Sequence, residues 1–436
     1  MMTDALPLEP APSILTAAND DSLLGDVIGE RRDGAEKGAC RVARRIEESL
    51  IANGWPRGLS CGSEQALAER FGIGRAVIRE AVRILEVRGT ARMVRGPRGG
   101  LRILEIDPRR TADVLVRFAL FFGVTEAQLG EAEKALGHVR EELEGPEARH
   151  GRPAERQHLA VLDFFDGVVS SLQRMIRSVD GRAAFRPLLI PEDGRCSRAQ
   201  EIAKRMLLEC SAEEWTRGHR LGSEEDLCFR YGVDRDVFRQ AVRILESAGA
   251  AETFCGRGHG LVSQAPRTGS VARLVSCLFA SSGVDPQAVM LVFQRLSIEI
   301  VSLAAARTSP DRCEEVARAL DQLEDALNGR DASKVLPRVF AVEEAIESVA
   351  ANPILHLFVQ SVRGYPSAHL PRDPALLDAM NRQFLVLSRP ILEAFRANCV
   401  QAAASAQRSR ASGLAFLSEA FFSKPTAKTS LIVVSR

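Results

Sequence analysis

The chain has 436 residues, 58 lysines and arginines against 57 aspartates and glutamates, a formal charge of +1, and 45% apolar side chains. That length predicts two to four domains, and the near-zero charge means that any contact with a polyanion must come from a local patch. No window approaches the ~18 uninterrupted apolar residues of a membrane span, and nine scattered cysteines without a CxxC pair exclude a disulfide framework and a zinc knuckle and fit a reducing cytoplasm.

Residues 1–38 open acidic and Pro/Ala-rich, lack the basic and apolar regions of a secretion signal, and read as a disordered tail. From Ala39 to Asn53, Val42, Ile46 and Leu50 recur at helical spacing, and a WPRGLSCG turn follows. Ser63 suits the N-cap of a second helix, EQALAERF, which Gly72 ends in the left-handed position. A third helix, RAVIREAVRILEVR, buries Ile78, Ala81, Val82 and Leu85 on one stripe and carries Arg75, Arg79 and Arg83 on another. Two short β-type runs around the glycine-rich tip RGPRGG close the unit. Three helices with a tight turn between the second and third, closed by a hairpin, predict a winged helix-turn-helix over 39–106.

The chain repeats itself at an offset of 160. Trp55, Arg57, Gly58, Gly62, Ser63 and Glu64 meet Trp215, Arg217, Gly218, Gly222, Ser223 and Glu224, and AVRILE recurs at 81–86 and 241–246. Over 39–101 roughly 27 of 63 positions are identical without a gap, so a second winged helix is predicted over 191–265. Arg235, Arg239 and Arg243 keep the spacing of the first copy, but the charge differs. Residues 39–110 carry 15 basic and 8 acidic side chains, whereas 199–270 carry 10 and 11, so counterion release favours the first copy. Asp234 has two readings, as an N-cap replacing Gly74 and, with Asp236, as a source of phosphate repulsion. The segment 107–190 reads as a truncated helical partner with an amphipathic stretch near Leu159–Val179, 266–423 as an all-helical bundle, and 424–436 as a C-terminal tail. The fold class is therefore mainly α.

SEQALAERFGIGRAVIREAVRILEVRG with the wing RGPRGG resembles the DNA-binding domain of GntR-type bacterial regulators, whose pattern runs like SE-x-x-LAE-x-FGVSR-x-x-VREAL. The resemblance implies that Arg75, Arg79, Gly96, Arg98 and Gly99 contact double-stranded DNA. Gln65 stands where some FadR-like members have a contacting arginine, and Gly74 stands where Ser or Thr usually caps the helix. By the repeat, Arg83, Arg235, Arg239, Arg243 and Arg257 join the candidate set. For Arg79 and Arg83 the competing reading is surface ion pairing with Glu80 or Glu86.

The helical stretches 292–309, 342–355 and 387–398 resemble the FCD domain of FadR-like regulators, which implies a small carboxylate effector and dimerisation. Many such domains hold a divalent metal through an Asp and three His, and the matching positions here are Val339, Glu343, Ser388 and Arg410. Of these, Glu343 alone ligates comfortably, so no metal and no cofactor are expected. Arg295, Glu299, Glu343, Ser388 and Arg410 either line an effector cavity or form interhelical salt bridges.

HExxH, GxSxG and P-loop motifs are absent, and the wing glycines lack the strand-then-helix context of a dinucleotide fingerprint, so no enzyme is expected. The expected function is a cytoplasmic transcription regulator, a repressor, with two winged helices per chain acting as a homodimer or as an intramolecular pseudo-dimer. The competing class is a degenerate paralogue that pairs with another regulator as a protein-interaction module.

Overall fold

A computed structural model describes residues 23–27, 38–96, 99–144, 157–178, 197–209, 215, 218–247, 250–253, 260–264, 267–329, 331–370 and 373–422. It divides into two units, one of residues 1–292 with 353–369 and the other of 293–352 with 370–436.

In the first unit, α1 (Leu24–Val27) precedes α2 (Gly38–Ala52), α3 (Glu64–Phe71), α4 (Arg75–Arg88) and the antiparallel pair β1 (Ala91–Val94) and β2 (Gly100–Ile103). Local chemistry accounts for the boundaries. The Ser63 hydroxyl accepts from the Ala66 N–H at 3.2 Å, and Gly72 turns the chain at φ 64°, where a Cβ is disfavoured. The tight α3–α4 turn follows at once, and Gly89 ends α4 in the same left-handed manner. Trp55 is 2% exposed, and its indole N–H donates to the Leu104 carbonyl at 2.8 Å, so the ring pins the first loop to the exit of the wing.

Two further helices, α5 (Pro108–Phe121) and α6 (Glu126–Leu143), lead to α7 (Gln157–Ser178), which covers most of the amphipathic stretch expected there. The second set of elements follows: α8 (Arg198–Leu208), β3 (Arg220–Gly222), α9 (Glu224–Tyr231), α10 (Arg235–Ser247), β4 (Ala251–Thr253) and β5 (Leu261–Ser263), its strands ordered β3-β5-β4. The anchors of the first copy recur. The Trp215 indole N–H donates to the Ala250 carbonyl at 2.7 Å. The Glu246 carboxylate accepts from the Thr253 N–H at 3.1 Å, as Glu86 accepts from the Met93 N–H at 2.9 Å. Each recognition-type helix thus holds its own wing through one glutamate.

The first unit is completed by α11 (Thr268–Ser281) and α15 (Pro353–Ser367). Helix α11 is buried along nearly its whole length, as its composition TGSVARLVSCLFAS requires. Phe165 of α7 stacks on Phe358 of α15 with centroids 4.3 Å apart, and Phe279 of α11 meets Tyr365 edge-on.

Helix α12 (Pro286–Ala306) spans the division between the units. The second unit contains α13 (Pro310–Asn328), α14 (Val335–Val349), α16 (Pro374–Arg396) and α17 (Val400–Phe422). Its core is Val316, Leu320 and Leu323 of α13, Val342 and Ile346 of α14, and Ile391 and Phe395 of α16.

Two expectations need adjustment. Within the 1–38 segment read as a disordered tail, Leu24–Val27 is helical, with Leu23, Leu24 and Val27 buried, because apolar side chains there find a face to cover. The bundle expected as one body over 266–423 is divided, with 267–292 and 353–369 grouped with the modules, because α11 and α15 bury their apolar surface there. Helix α12 has 21 residues and reaches a mean hydropathy of 1.7 in its most apolar 18-residue window, half of which is buried, and it is long and apolar enough to cross a membrane by length and composition alone. Arg295 and Glu299 interrupt its apolar run, so it is not one of the uninterrupted windows that the sequence lacks. The tail expected at 424–436 lies outside the described residues.

Candidate nucleic-acid interface

Helix α4 buries Ile78, Ala81, Val82, Ile84 and Leu85 against its own module, and Arg75, Arg79 and Arg83 are exposed. One face of the helix is thus committed to packing and the cationic face is presented to solvent. Arg75 donates to the Gln65 side-chain oxygen at 2.8 Å, and Gln65 donates onward to Glu69 at 3.0 Å, so Gln65 positions an arginine instead of supplying one. Arg79 meets Glu64 at 3.2 Å with the guanidinium side chain 59% exposed. Its partner is neither Glu80 nor Glu86, the two acids that sequence proximity offered. Glu86 serves the wing, and Glu80 meets Arg243 of the second module. A pair as exposed as Arg79–Glu64 is worth only ~0–1 kcal/mol, so it barely hinders recruitment of the arginine to another anion.

The wing tip is built for close approach. The Gly99 N–H donates to the Gly96 carbonyl at 2.8 Å, and a Cβ on Gly99 would stand 2.3 Å from the Val94 carbonyl oxygen. Any other residue there would push the hairpin apart. Arg98, assigned to phosphate from the sequence, lies outside the described residues. Arg92 and Arg95 are exposed on the same hairpin. The sequence reading missed both, although their spacing in RMVRGPRGG is the available signal, and the second copy has Glu252 and Cys255 in their places.

The second module keeps the frame and changes the charge. Asp234 caps α10, its carboxylate accepting from the Val237 N–H at 2.8 Å, which is the stabilising reading of that residue. Glu224 lies 3.1 Å from Arg239 and 3.9 Å from Arg235, so one carboxylate serves two of the three arginines. Arg243 does not extend that face, since its guanidinium meets Glu80 across the modules. Burial draws it below the ordinary arginine range, opposed by the charge of Glu246. Arg257 lies outside the described residues. Phe229 of α9 is 91% exposed where the first copy has Glu69.

Further contacts tie the first module to α11 within the first unit. Glu48 of α2 is buried between Arg44, at 3.3 Å, and Arg273 of α11, at 3.1 Å. The Ile106 N–H donates to the Ser281 hydroxyl at 3.0 Å. Glu47, also buried, holds Arg88 at 2.7 Å and accepts from Thr90 at 3.2 Å. The sequence reading gave these two glutamates no role, and the only cue is that the second copy has Leu207 and Leu208 there.

In the second unit the structure brings together Glu343, Ser388 and Arg410 of the residues expected at an effector cavity. Arg410 donates to the Ser388 hydroxyl at 3.0 Å and to Glu343 at 3.1 Å. Arg295 and Glu299 are half-buried, one turn apart on α12.

Three helices, a tight turn and a glycine-tipped wing define the first module as a winged-helix DNA-binding domain. Residues 39–101 match the model of bacterial regulatory proteins of the gntR family, and residues 289–410 match the FCD domain. The chain therefore carries a gntR-family domain and an FCD domain, and the second copy at 199–261 is not among the matched residues. Among solved structures, a GntR of Streptococcus agalactiae is 21% identical, with 50% of this chain and 98% of that chain covered at a TM-score of 0.37. McbR/YncC of E. coli is 17% identical, with 52% and 100% covered at a TM-score of 0.28. No curated protein matches the chain.

Proposed function

We propose that the chain is a sequence-specific, cytoplasmic transcription regulator, acting as a repressor, in which α4 is the main reader of duplex DNA. The observation that carries this reading is the exposed line of Arg75, Arg79 and Arg83 on a helix whose opposite stripe is buried, beside a wing tip that only glycine fits. A guanidinium entering the major groove pairs bidentately with guanine O6 and N7, while wing backbone N–H groups and the Arg92 and Arg95 side chains meet phosphate.

The second set of elements is a duplicated winged helix, a weaker or differently specific half. The shared glutamate-to-wing anchors, buried tryptophans and capped short helices support the duplication. The pair Glu80–Arg243 supports an intramolecular pseudo-dimer, in which one chain offers both readers and the two half-sites are free to differ. The FCD domain supplies a small-carboxylate response or pairing with a second chain.

The test is selection of bound DNA from random duplexes with the full chain, followed by salt titration against competitor DNA. A sequence preference that survives competitor is the expected result, and affinity that only falls with salt, without preference, sinks the reading. Light scattering on the complex should give one chain per asymmetric site. Glu80→Arg should weaken binding and broaden tolerance to half-site spacing, and adding Arg243→Glu should restore both, measured on duplexes with varied spacers. A second reading, a protein-binding module, is favoured by exposed Phe229 and the acidic start of α10. If it holds, Phe229→Glu abolishes pairing with another regulator and leaves DNA binding unchanged.

A further inference from the structure

Three helices of the second unit each send one side chain to a single interior point: Glu343 from α14, Ser388 from α16 and Arg410 from α17. Arg410 is 2% exposed and Ser388 fully buried. The two terminal nitrogens of Arg410 divide between the Ser388 hydroxyl, at 3.0 Å, and the Glu343 carboxylate, at 3.1 Å. The Cζ of Arg410 lies 4.9 Å from the centroid of the Phe384 ring, one turn before Ser388 on α16. One group thus bonds across to two helices from a third and rests on an aromatic face.

These are the positions that the FCD resemblance assigns to a divalent metal, and the donor set does not fit one. Val339 has no lone pair, and the neutral Ser388 hydroxyl is a poor ligand that already accepts from Arg410. Arg410 is a permanent cation with five donors and no acceptor, so it repels a metal ion and cannot ligate one. Glu343 alone offers a suitable oxygen, and among the described residues no group of three or more His, Cys, Asp or Glu side chains is placed to hold a metal.

We propose that Arg410 is the resident cation of this domain, taking the electrostatic and cross-linking place of a metal by neutralising Glu343 and tying α14, α16 and α17 together. A buried carboxylate needs a positive partner and further hydrogen bonds to offset its lost hydration. A divalent ion meets that need by coordination, and here a planar fork carried by the chain meets it with directed hydrogen bonds. The domain therefore folds without metal. A small carboxylate entering at this point would have to draw Arg410 away from Glu343 and leave that acid buried without this partner. The same pair thus sets a threshold against anionic ligands.

The test uses the full chain, with metal analysis of the purified protein, thermal melting with EDTA and with added zinc or manganese, and hydrogen exchange of peptides from α14, α16 and α17. The expected result is no stoichiometric metal and a melting profile unmoved by chelator or by either ion. Arg410→Met should lower the melting temperature by several degrees and speed exchange in all three helices. Glu343→Leu combined with Arg410→Met should recover most of that loss, because both members of the buried pair are then gone. Stoichiometric metal, a melting point lowered by EDTA, or an Arg410→Met protein that melts and exchanges like wild type would overturn the proposal. If Arg410→Met yields no soluble protein, the metal-content and chelator measurements on the wild-type chain decide alone.

Discussion

Arg79→Ala should weaken binding to a selected duplex by about 5- to 150-fold, the ~1–3 kcal/mol of a lost bidentate base contact, and relax preference at the base pair it reads. Arg239→Ala at the matching position of the second module should cost clearly less. The two arginines are almost equally exposed, at 59% and 54%, so access does not separate them. Their surroundings do. Among the described residues Arg79 has Glu64 to itself, and exposed Arg75, Arg83, Arg92 and Arg95 lie on the same module. Arg239 and Arg235 share Glu224, Asp234 and Asp236 stand at the start of their helix, and Arg243 is engaged by Glu80. Fluorescence anisotropy at fixed salt measures both variants, and equal losses would refute the assignment of α4 as main reader. The salt slope gives a second reading, since removing a phosphate contact lowers it by ~1 and removing a base contact leaves it nearly unchanged.

Glu48→Ala should strongly destabilise the first unit. The glutamate is 1% exposed and stands between two buried guanidinium groups, Arg44 and Arg273. Removing it takes the shared anion from two like charges, and breaking a buried pair in this way costs about 3–5 kcal/mol. Glu48→Leu with Arg273→Met should recover part of the loss, as the second copy already carries Leu208 at the equivalent position. Because the chain has two units, the readout is hydrogen exchange in α2 and α11 peptides alongside urea unfolding, not a single midpoint. Exchange in both helices at the wild-type rate in Glu48→Ala would show that the charges contribute nothing. The pair ties α2 of the first module to α11.

Much of the first module was legible from the chain alone, because what makes it is local. Ser63 and Gly72, then Gly89, punctuate the helices through hydrogen bonds and φ values that depend on a few neighbouring residues. The buried stripe of α4 follows from helical periodicity, and the exposed arginines follow from that stripe. Asp234 was legible as a cap for the same reason, its carboxylate reaching three residues ahead. The partners of the charges were not legible. Glu80 and Glu86 are adjacent to the arginines in sequence, yet one serves the other module and the other anchors a wing strand. Each stands three residues from Arg83, a spacing at which helix side chains can meet, so local spacing allowed pairs that more distant partners took instead.

The sequence by itself determined the frame of the first module, the repeat at an offset of 160 and the bias of positive charge toward the first copy. Only the tertiary structure decided which charges are spent on distant partners inside, joining Glu48 to Arg273 across 225 positions and Glu343 to Arg410 across 67. The physical reason is range. Caps, turns and stripes are set by bonds within a turn or two, whereas the fate of a charge depends on what distant segment removes water from around it.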